Sequence, residues 1–303
     1  MISGNQAKEL GNRADLQKEM LHMGRMDDLK GGKAQATGAI AFPGTDAHEG
    51  PWALYNELIE GIPEGIAVRD YCLGTHWSYV EADSGMGIAW TASGGAKRQY
   101  KGDLRGRELR EMAQLAKSWC FEEATLGIAA LNAWYAQRDK LDSLGARYDE
   151  PVDLPDGTRR KMDAFELHAD QMNGKKVVMV GHFPHPERLV DYGADLTVLE
   201  RNCRDELDTP DPACEYIIPG ADLVFYTGVT FINKTAPRLL ALAANARTVM
   251  VGPSVIMAPR LFDRGVDMLA GSVVADPDKT RFAVQNGAGQ FFGEALSMLY
   301  LEK

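Results

Sequence analysis

From Lys176 to Val274 the chain alternates two patterns. The runs "KVVMVG", "LTVLER", "ADLVFYTG", "RTVMVGP" and "MLAGSVV" are rich in β-branched residues and almost continuously apolar; between them stand the helical stretches "HPERLVDYG", "NKTAPRLLALAAN" and "APRLFDRG". A strand apolar on both faces must be covered on both faces, and strands joined through helices lie parallel. This alternation therefore demands an α/β domain built on a parallel sheet. Residues 174–303 are read as that domain, Rossmann-like in plan.

The preceding part reads differently. "PWALYNELIEGIP" opens a helix at Pro51, puts Trp52, Tyr55, Leu58 and Ile59 on one face, and stops at Gly61 and Pro63. Three short β-like runs follow, "AVRDYCLGT", "HWSYVEAD" and "MGIAWTA". Then come the helix "RGRELREMAQLAK" and a second helix restarted by Ser118, with Glu122 and Glu123 in its first turn and Ala124, Ile128, Leu131 and Tyr135 as its buried stripe. Residues 51–150 thus read as a smaller α+β domain, 138–160 as a polar connector, and 151–173 as connector plus helix. Residues 1–50 read as an extension that packs or makes an oligomer contact: 13–30 carry Leu16, Met20, Met23 and Met26 at helical spacing, and 31–50 resemble a linker. The two domains are expected to have separate cores, with the strand ends of the larger facing the smaller.

The net charge of −10 argues against nucleic acid or an anionic membrane as partner. With no signal-like N-terminus and no long apolar run, a cytoplasmic location is expected. Cys72, Cys120, Cys203 and Cys214 are widely spaced, and in that compartment read as reduced thiols. Cys120, near a helix start, has two readings: a lowered pKa or a core thiol.

Ligands of a parallel sheet collect beyond the carboxyl ends of its strands, where strand order reverses. Those ends carry Gly181-His182-Phe183-Pro184, then Glu200-Arg201-Asn202, then Thr227-Gly228 with Asn233-Lys234-Thr235 opening a helix, then Gly252-Pro253-Ser254. The "FINKT" helix start and the Lys234 charge suit a carboxylate or phosphate, although Asn233 or Thr235 would equally serve as caps. Phe183 and Pro184 obstruct the close backbone approach that a pyrophosphate needs, so NAD and NADP are disfavoured. Glu200 stands where an acidic residue holds a ribose; pairing with Arg201 or Arg204 is the other reading. His182 and His185 form an H-x-x-H pair, weak as a metal site because no third ligand is near in sequence; Cys203 and His76 are candidates to converge on it. Asn132, beside an apolar helical stripe, needs a partner, either structural or ligand.

The stretches "WALYNELIEGIPEG", "SWCFEEATLGIAALNAWY", "VGHFP", "VLERN", "TGVTFINKT" and "GPSVIMAPRLFDRGVDMLAGSVVADP" resemble, in that order, a family of bacterial and archaeal proteins with a heavy-metal chelation domain preceded by a smaller partner. The likeness runs from Trp52 to the mid-280s and leaves out 1–50. It implies an enolase N-terminal-like domain followed by a Rossmann-like domain, with a site in the cleft between them. The matching cleft positions are His182, Phe183 and Pro184, then Glu200 and Asn202. Thr227, Gly228, Asn233 and Thr235 follow, then Gly252, Pro253 and Ser254, with Thr75, His76, Ser118 and Asn132 contributed by the first domain.

The leading expectation is a protein that binds a small anionic metabolite or metal chelate between its domains, in metal or metallocofactor handling. Whether it catalyses a reaction is left open. An enzyme using an adenosyl ligand such as S-adenosylmethionine, and a non-catalytic sensor or scaffold, are the alternatives.

Overall fold

Pro51 lies in a 3-10 turn, Gly50–Trp52, that runs straight into helix α1, Ala53–Glu60. The helix buries Tyr55, Leu58 and Ile59, the face expected from their spacing. The computed structural model describes residues 39–153, 159–161, 163–293 and 295–303; the helical stretch expected at 13–30 lies outside them. The linker-like segment does not hang free where it is described: Ile40, Phe42 and Thr45 are buried. The Thr45 carbonyl accepts from Asn56 Nδ2 at 2.9 Å and from the buried ammonium of Lys117 at 3.4 Å.

Strands β1 (Val68–Leu73), β2 (Trp77–Ala82) and β3 (Gly85–Trp90) form an antiparallel meander in the order β1-β2-β3. Helices α2 (Leu109–Ala113) and α3 (Phe121–Tyr135) follow, joined by a 3-10 turn at Gln114–Lys117. The second helix begins at Phe121 with Cys120 as its N-cap residue, not at Ser118. Ser118 still organises that start: its Oγ accepts from Cys120 N–H at 3.1 Å and donates to Glu123 Oε2 at 2.5 Å. Residues 123–133 of α3 are buried on all sides, wider than a single stripe. The close approach explains Gly87, since a Cβ there would lie 2.1 Å from the Ala133 backbone nitrogen.

The segment read as a connector holds structure. It contains α4 (Arg138–Ser143), strand β4 (Arg147–Tyr148) and a short hairpin of β5 (Pro151–Asp153) with β6 (Arg159–Lys161). β4 is an edge strand of the main sheet, a pairing too short and too remote in sequence to be legible there.

The main sheet comprises β7 (Lys176–Val180), β8 (Asp195–Glu200), β9 (Asp208–Pro210), β10 (Leu223–Thr227), β11 (Arg247–Val251), β12 (Met268–Val274) and β13 (Leu296–Glu302), with β4 at one end. Its order is β4-β13-β12-β11-β10-β7-β8-β9. β7 to β12 run parallel, whereas β13 and β4 add antiparallel. The chain is thus α/β, and its strand order reverses between β7 and β10. Alternate residues serve opposite faces, as the two-residue period requires. Val177 and Met179 join Phe165, Met172 and Phe225 on one side. Val178 and Val180 join Tyr226 and Met250 on the other.

That second face carries a correction. Its buried cluster continues without a break into Tyr55, Leu58, Ile59, Ile128 and Leu131. The two parts therefore share one core. After α5 (Glu187–Asp191) and α6 (Cys214–Ile217) come the short helices α7 (Val229–Ile232) and α8 (Ala236–Leu242), and the smaller part completes the cover of this face. On the other flank, α9 (Pro277–Gln285) docks on the small sheet through Arg281 with Glu81, at 2.6 Å, and Gln285 with the Tyr79 hydroxyl, at 3.1 Å. Among the described residues no helix is long and apolar enough to cross a membrane.

Candidate functional site

The reversal point lies between the ends of β7 and β10. Gly181 there has φ +93°, and a Cβ would stand 2.7 Å from the Thr227 methyl group, so the two strand ends close on each other. His182 follows. Its main-chain N–H donates to Glu200 Oε2 at 3.0 Å, and its Nδ1 lies 2.7 Å from Asp208 Oδ1. The Asp208 side chain is only 1% exposed, against 34% for the imidazole. Its other oxygen accepts the main-chain N–H groups of Arg204, at 2.8 Å, and Asp205, at 3.0 Å. Burial works against the Asp208 charge, but these two donors and the imidazole outweigh it and hold the carboxyl below the ordinary range. An ionised carboxylate only accepts, so Nδ1 carries the proton and Nε2 is left to face outward, with no partner among the described residues.

Glu200 is committed to the same loop. Its Oε1 accepts from Arg201 and Asn202 N–H at 2.8 and 3.1 Å, beside the His182 contact on Oε2. No arginine side chain pairs with it among the described residues, Arg201 reaching Asp211 instead; three main-chain donors use most of the carboxylate's roughly four acceptor positions. Cys203 is exposed and its thiol leans on the Glu200 carbonyl at 3.6 Å. Phe183 turns away from the strand ends onto Phe165, ring centroids 5.2 Å apart. Pro184 is exposed beside it. His185 is held by its own acid, Glu187, at 3.1 Å, so the H-x-x-H pair is divided between two carboxylates. Among the described residues no three His, Cys, Asp or Glu side chains converge as a metal site.

The β10 and β11 ends press against the smaller part. Gly228 is packed so closely that a Cβ would lie 2.4 Å from the Ser254 carbonyl carbon. Ser254, 3% exposed, accepts the Trp90 N–H at 2.7 Å. Gly252 has open space around it, and Pro253 is half-buried beside it. The Tyr55 hydroxyl donates to the Phe231 carbonyl at 2.8 Å. Asn233–Thr235 do open a helix, α8, with Thr235 as its N-cap residue, but the short α7 stands between β10 and this start. There Asn233 Oδ1 accepts from Thr235 N–H and Oγ1 at 3.2 and 2.6 Å, a local turn; the α8 start carries no side-chain cap hydrogen bond. Lys234 is turned toward the smaller part, its ammonium on the Ser118 carbonyl.

Of the other candidates, Ser118 is buried on Glu123. Asn132 is buried between α3 and β3, its Nδ2 donating to the Ile88 carbonyl at 3.1 Å, while its Oδ1 has no hydrogen-bond partner among the described residues. Thr75 is exposed near Gly287, and the His76 ring lies 5.8 Å from that of Trp90. Trp90 itself, 38% exposed beside Ser254, was not singled out from sequence; an aromatic residue at the end of an apolar strand run gives no signal of being left uncovered. A groove of about 710 Å3 lies elsewhere, beside α9, between Phe282, Phe291 and Phe292. Its charged residues are engaged locally, Asp278 with Arg281 and Lys279 with Asp276, so no polar groups converge there as a specific site needs.

An α/β protein with an anchored imidazole at the reversal point of its sheet, roofed in part by a smaller α+β unit, is the class this arrangement defines. The chain belongs to the DUF364 family. A model of that family, described as "putative heavy-metal chelation", matches residues 163–299, and a second model with the same description, DUF4213, matches residues 55–135. A crystal structure of a DUF364 protein of unknown function from Desulfitobacterium hafniense is similar at 33% identity and TM-score 0.70, over 83% of this chain and 98% of that one. One from Pyrococcus horikoshii shares the fold at 22% identity and TM-score 0.67, over 82% and 98%. An uncharacterized protein of Methanocaldococcus jannaschii is 27% identical over 259 residues, 80% of this chain and 92% of the relative.

Proposed function

We propose that the chain binds a small anionic metabolite or a metal chelate at the ends of β7, β10 and β11, between a Rossmann-like part and an enolase N-terminal-like part. The observation that carries this reading is the His182–Asp208 pair. A carboxylate behind an imidazole fixes its tautomer and orientation. Neutral, Nε2 offers one lone pair to a metal ion; protonated, it offers an N–H and a positive charge to an anion. His182 would supply a single donor, so a metal held there would arrive with the rest of its coordination sphere, as in a chelate. No step of a reaction is assigned. The engagement of Glu200 by main-chain donors is the reason the adenosyl reading is not carried further.

The test is calorimetric titration of the whole chain with Cu2+–iminodiacetate, with citrate, and with Cu2+ alone, on wild type and His182→Ala. Binding of the chelate or of citrate that weakens at least about tenfold in the variant supports the site. Binding by all three probes that is indifferent to His182, or none at all, overturns it.

A further inference from the structure

The groove beside α9 has walls that are held in place. On the helix side, Asp276 accepts the Lys279 N–H at 3.0 Å and caps α9, while Thr280 and Val284 are buried. Arg281 ties the helix to Glu81 at 2.6 Å and fixes the Asp278 carboxylate at 2.7 Å. On the loop side, Phe291 and Phe292 stack with ring centroids 5.8 Å apart, and both stand edge-on to Trp77, at 6.1 and 5.5 Å. The Trp77 indole N–H holds that loop by donating to the Gly289 carbonyl at 3.0 Å.

Neither wall covers the rings. Phe282 is 71% exposed and Phe292 43%, beside a groove of about 710 Å3. Among the described residues only Tyr216, on α6, is a more exposed large apolar side chain. Contiguous apolar surface left open on a folded chain marks a contact surface. Because both walls are fixed, docking there would require little ordering.

Two features of the patch select a second copy of the chain as its occupant. One is shape. Phe282 projects from the same surface that offers the groove, and an isologous contact needs a knob and a hole on one patch. The other is charge. Two copies at −10 each repel across most of their surface. The charged rim of the groove is Asp278 and Lys279, one acid and one base. A rim of one sign would repel its own copy, whereas this rim offers an opposite charge to each of its groups.

We propose that the groove between α9 and the Phe291–Phe292 loop is the interface of a two-fold homodimer, in which Phe282 of each copy enters the groove of the other. The lining is smaller than the roughly 20–30 residues a side of a standard interface, so the dimer is a weak one, in the micromolar range. It depends neither on His182 nor on a bound ligand.

The test is sedimentation velocity of the whole chain, without ligand, from about 1 to about 200 µM, since a dimer forms by mass action. Wild type should pass from monomer to dimer over that range. Phe282→Glu should raise the dissociation constant at least about tenfold. Its melting temperature in dilute solution should be unchanged, because the ring it replaces is exposed in the single chain. Lys279→Glu, which makes the rim wholly acidic, should weaken the dimer as well. Tyr216→Glu, the same added charge on another exposed ring, should dimerise like wild type. A wild-type chain that is monomeric at the top of the range overturns the proposal. So does a dimer that Phe282→Glu and Lys279→Glu leave intact, or that Tyr216→Glu weakens as much. A monomeric wild type that binds the apolar dye anilinonaphthalene sulfonate, and loses it in Phe282→Glu, would assign the groove to a small apolar ligand instead.

Discussion

The imidazole Nδ1 of His182 and Oδ1 of Asp208 meet at 2.7 Å between the loop after β7 and the start of β9. One member is buried and held by two main-chain donors; the other reaches the surface. Removing the buried member should do more to the fold than removing the exposed one. Asp208→Ala removes the acceptor of the exposed Arg204 and Asp205 N–H groups, at a cost of about 1–2 kcal/mol in chemical denaturation. His182→Ala should cost less than about 1 kcal/mol. If His182→Ala proves the more destabilising, the imidazole is a structural group and not a presented one.

The Asp208 carboxyl should also make the chain acid-sensitive. Its pKa is lower folded than unfolded, so its stabilisation is present above the ordinary carboxylate range and is lost as pH falls through and below it. In Asp208→Asn the loss of stability between about pH 5 and pH 3 should be shallower than in wild type. Parallel curves for the two proteins would contradict this.

Lys234 gives the opposite dependence near neutrality. Unfolded, the amine keeps its proton to about pH 10; folded, burial makes it give the proton up near 7. Between those values the unfolded chain binds the extra proton, so stability rises with pH, by at most about 1.4 kcal/mol per unit. Lys234→Met should flatten that rise, seen as melting temperature against pH. A rise as steep in the variant as in wild type would show that another group is responsible.

Across the seam, Ser254→Ala should leave the Trp90 N–H without its acceptor and cost about 1–3 kcal/mol. Melting should fall by a few degrees, since about 1 kcal/mol is worth roughly 2–4 °C at 150–250 residues and somewhat less in a longer chain. An unchanged melting temperature would mean that solvent reaches this contact.

Two glycines at neighbouring strand ends should respond differently to alanine. At Gly228 a Cβ would run into main-chain atoms of Ser254 and Val255, at 2.4 and 2.5 Å, so backbone must move and the folded yield should drop sharply. At Gly252 there is open space, and only the φ of +106° is unfavourable, a cost of about 1–2 kcal/mol. The order of the two variants in urea unfolding checks this.

The periodicities of the chain determined the main elements. Alternation of two-faced apolar runs with helices prescribes a parallel sheet, and each expected strand from Lys176 to Val274 is present, as are α1 and the β1–β3 meander. The sequence also marked His182 as the residue leaving the first parallel strand. It could not mark Asp208, because hydrogen bonding across a loop depends on how the chain returns, and no local pattern encodes that. The edge strand β4 and its neighbour β13 escaped for the same reason: a strand that pairs with a distant partner is defined by its neighbour more than by its own residues. Tertiary packing likewise decided the fate of Lys234, Asn132 and Phe183. Each meets a carbonyl or ring that only the folded chain brings within reach. Sequence sets which faces must be covered; the fold decides what covers them, because burial and hydrogen-bond satisfaction are settled between residues far apart along the chain.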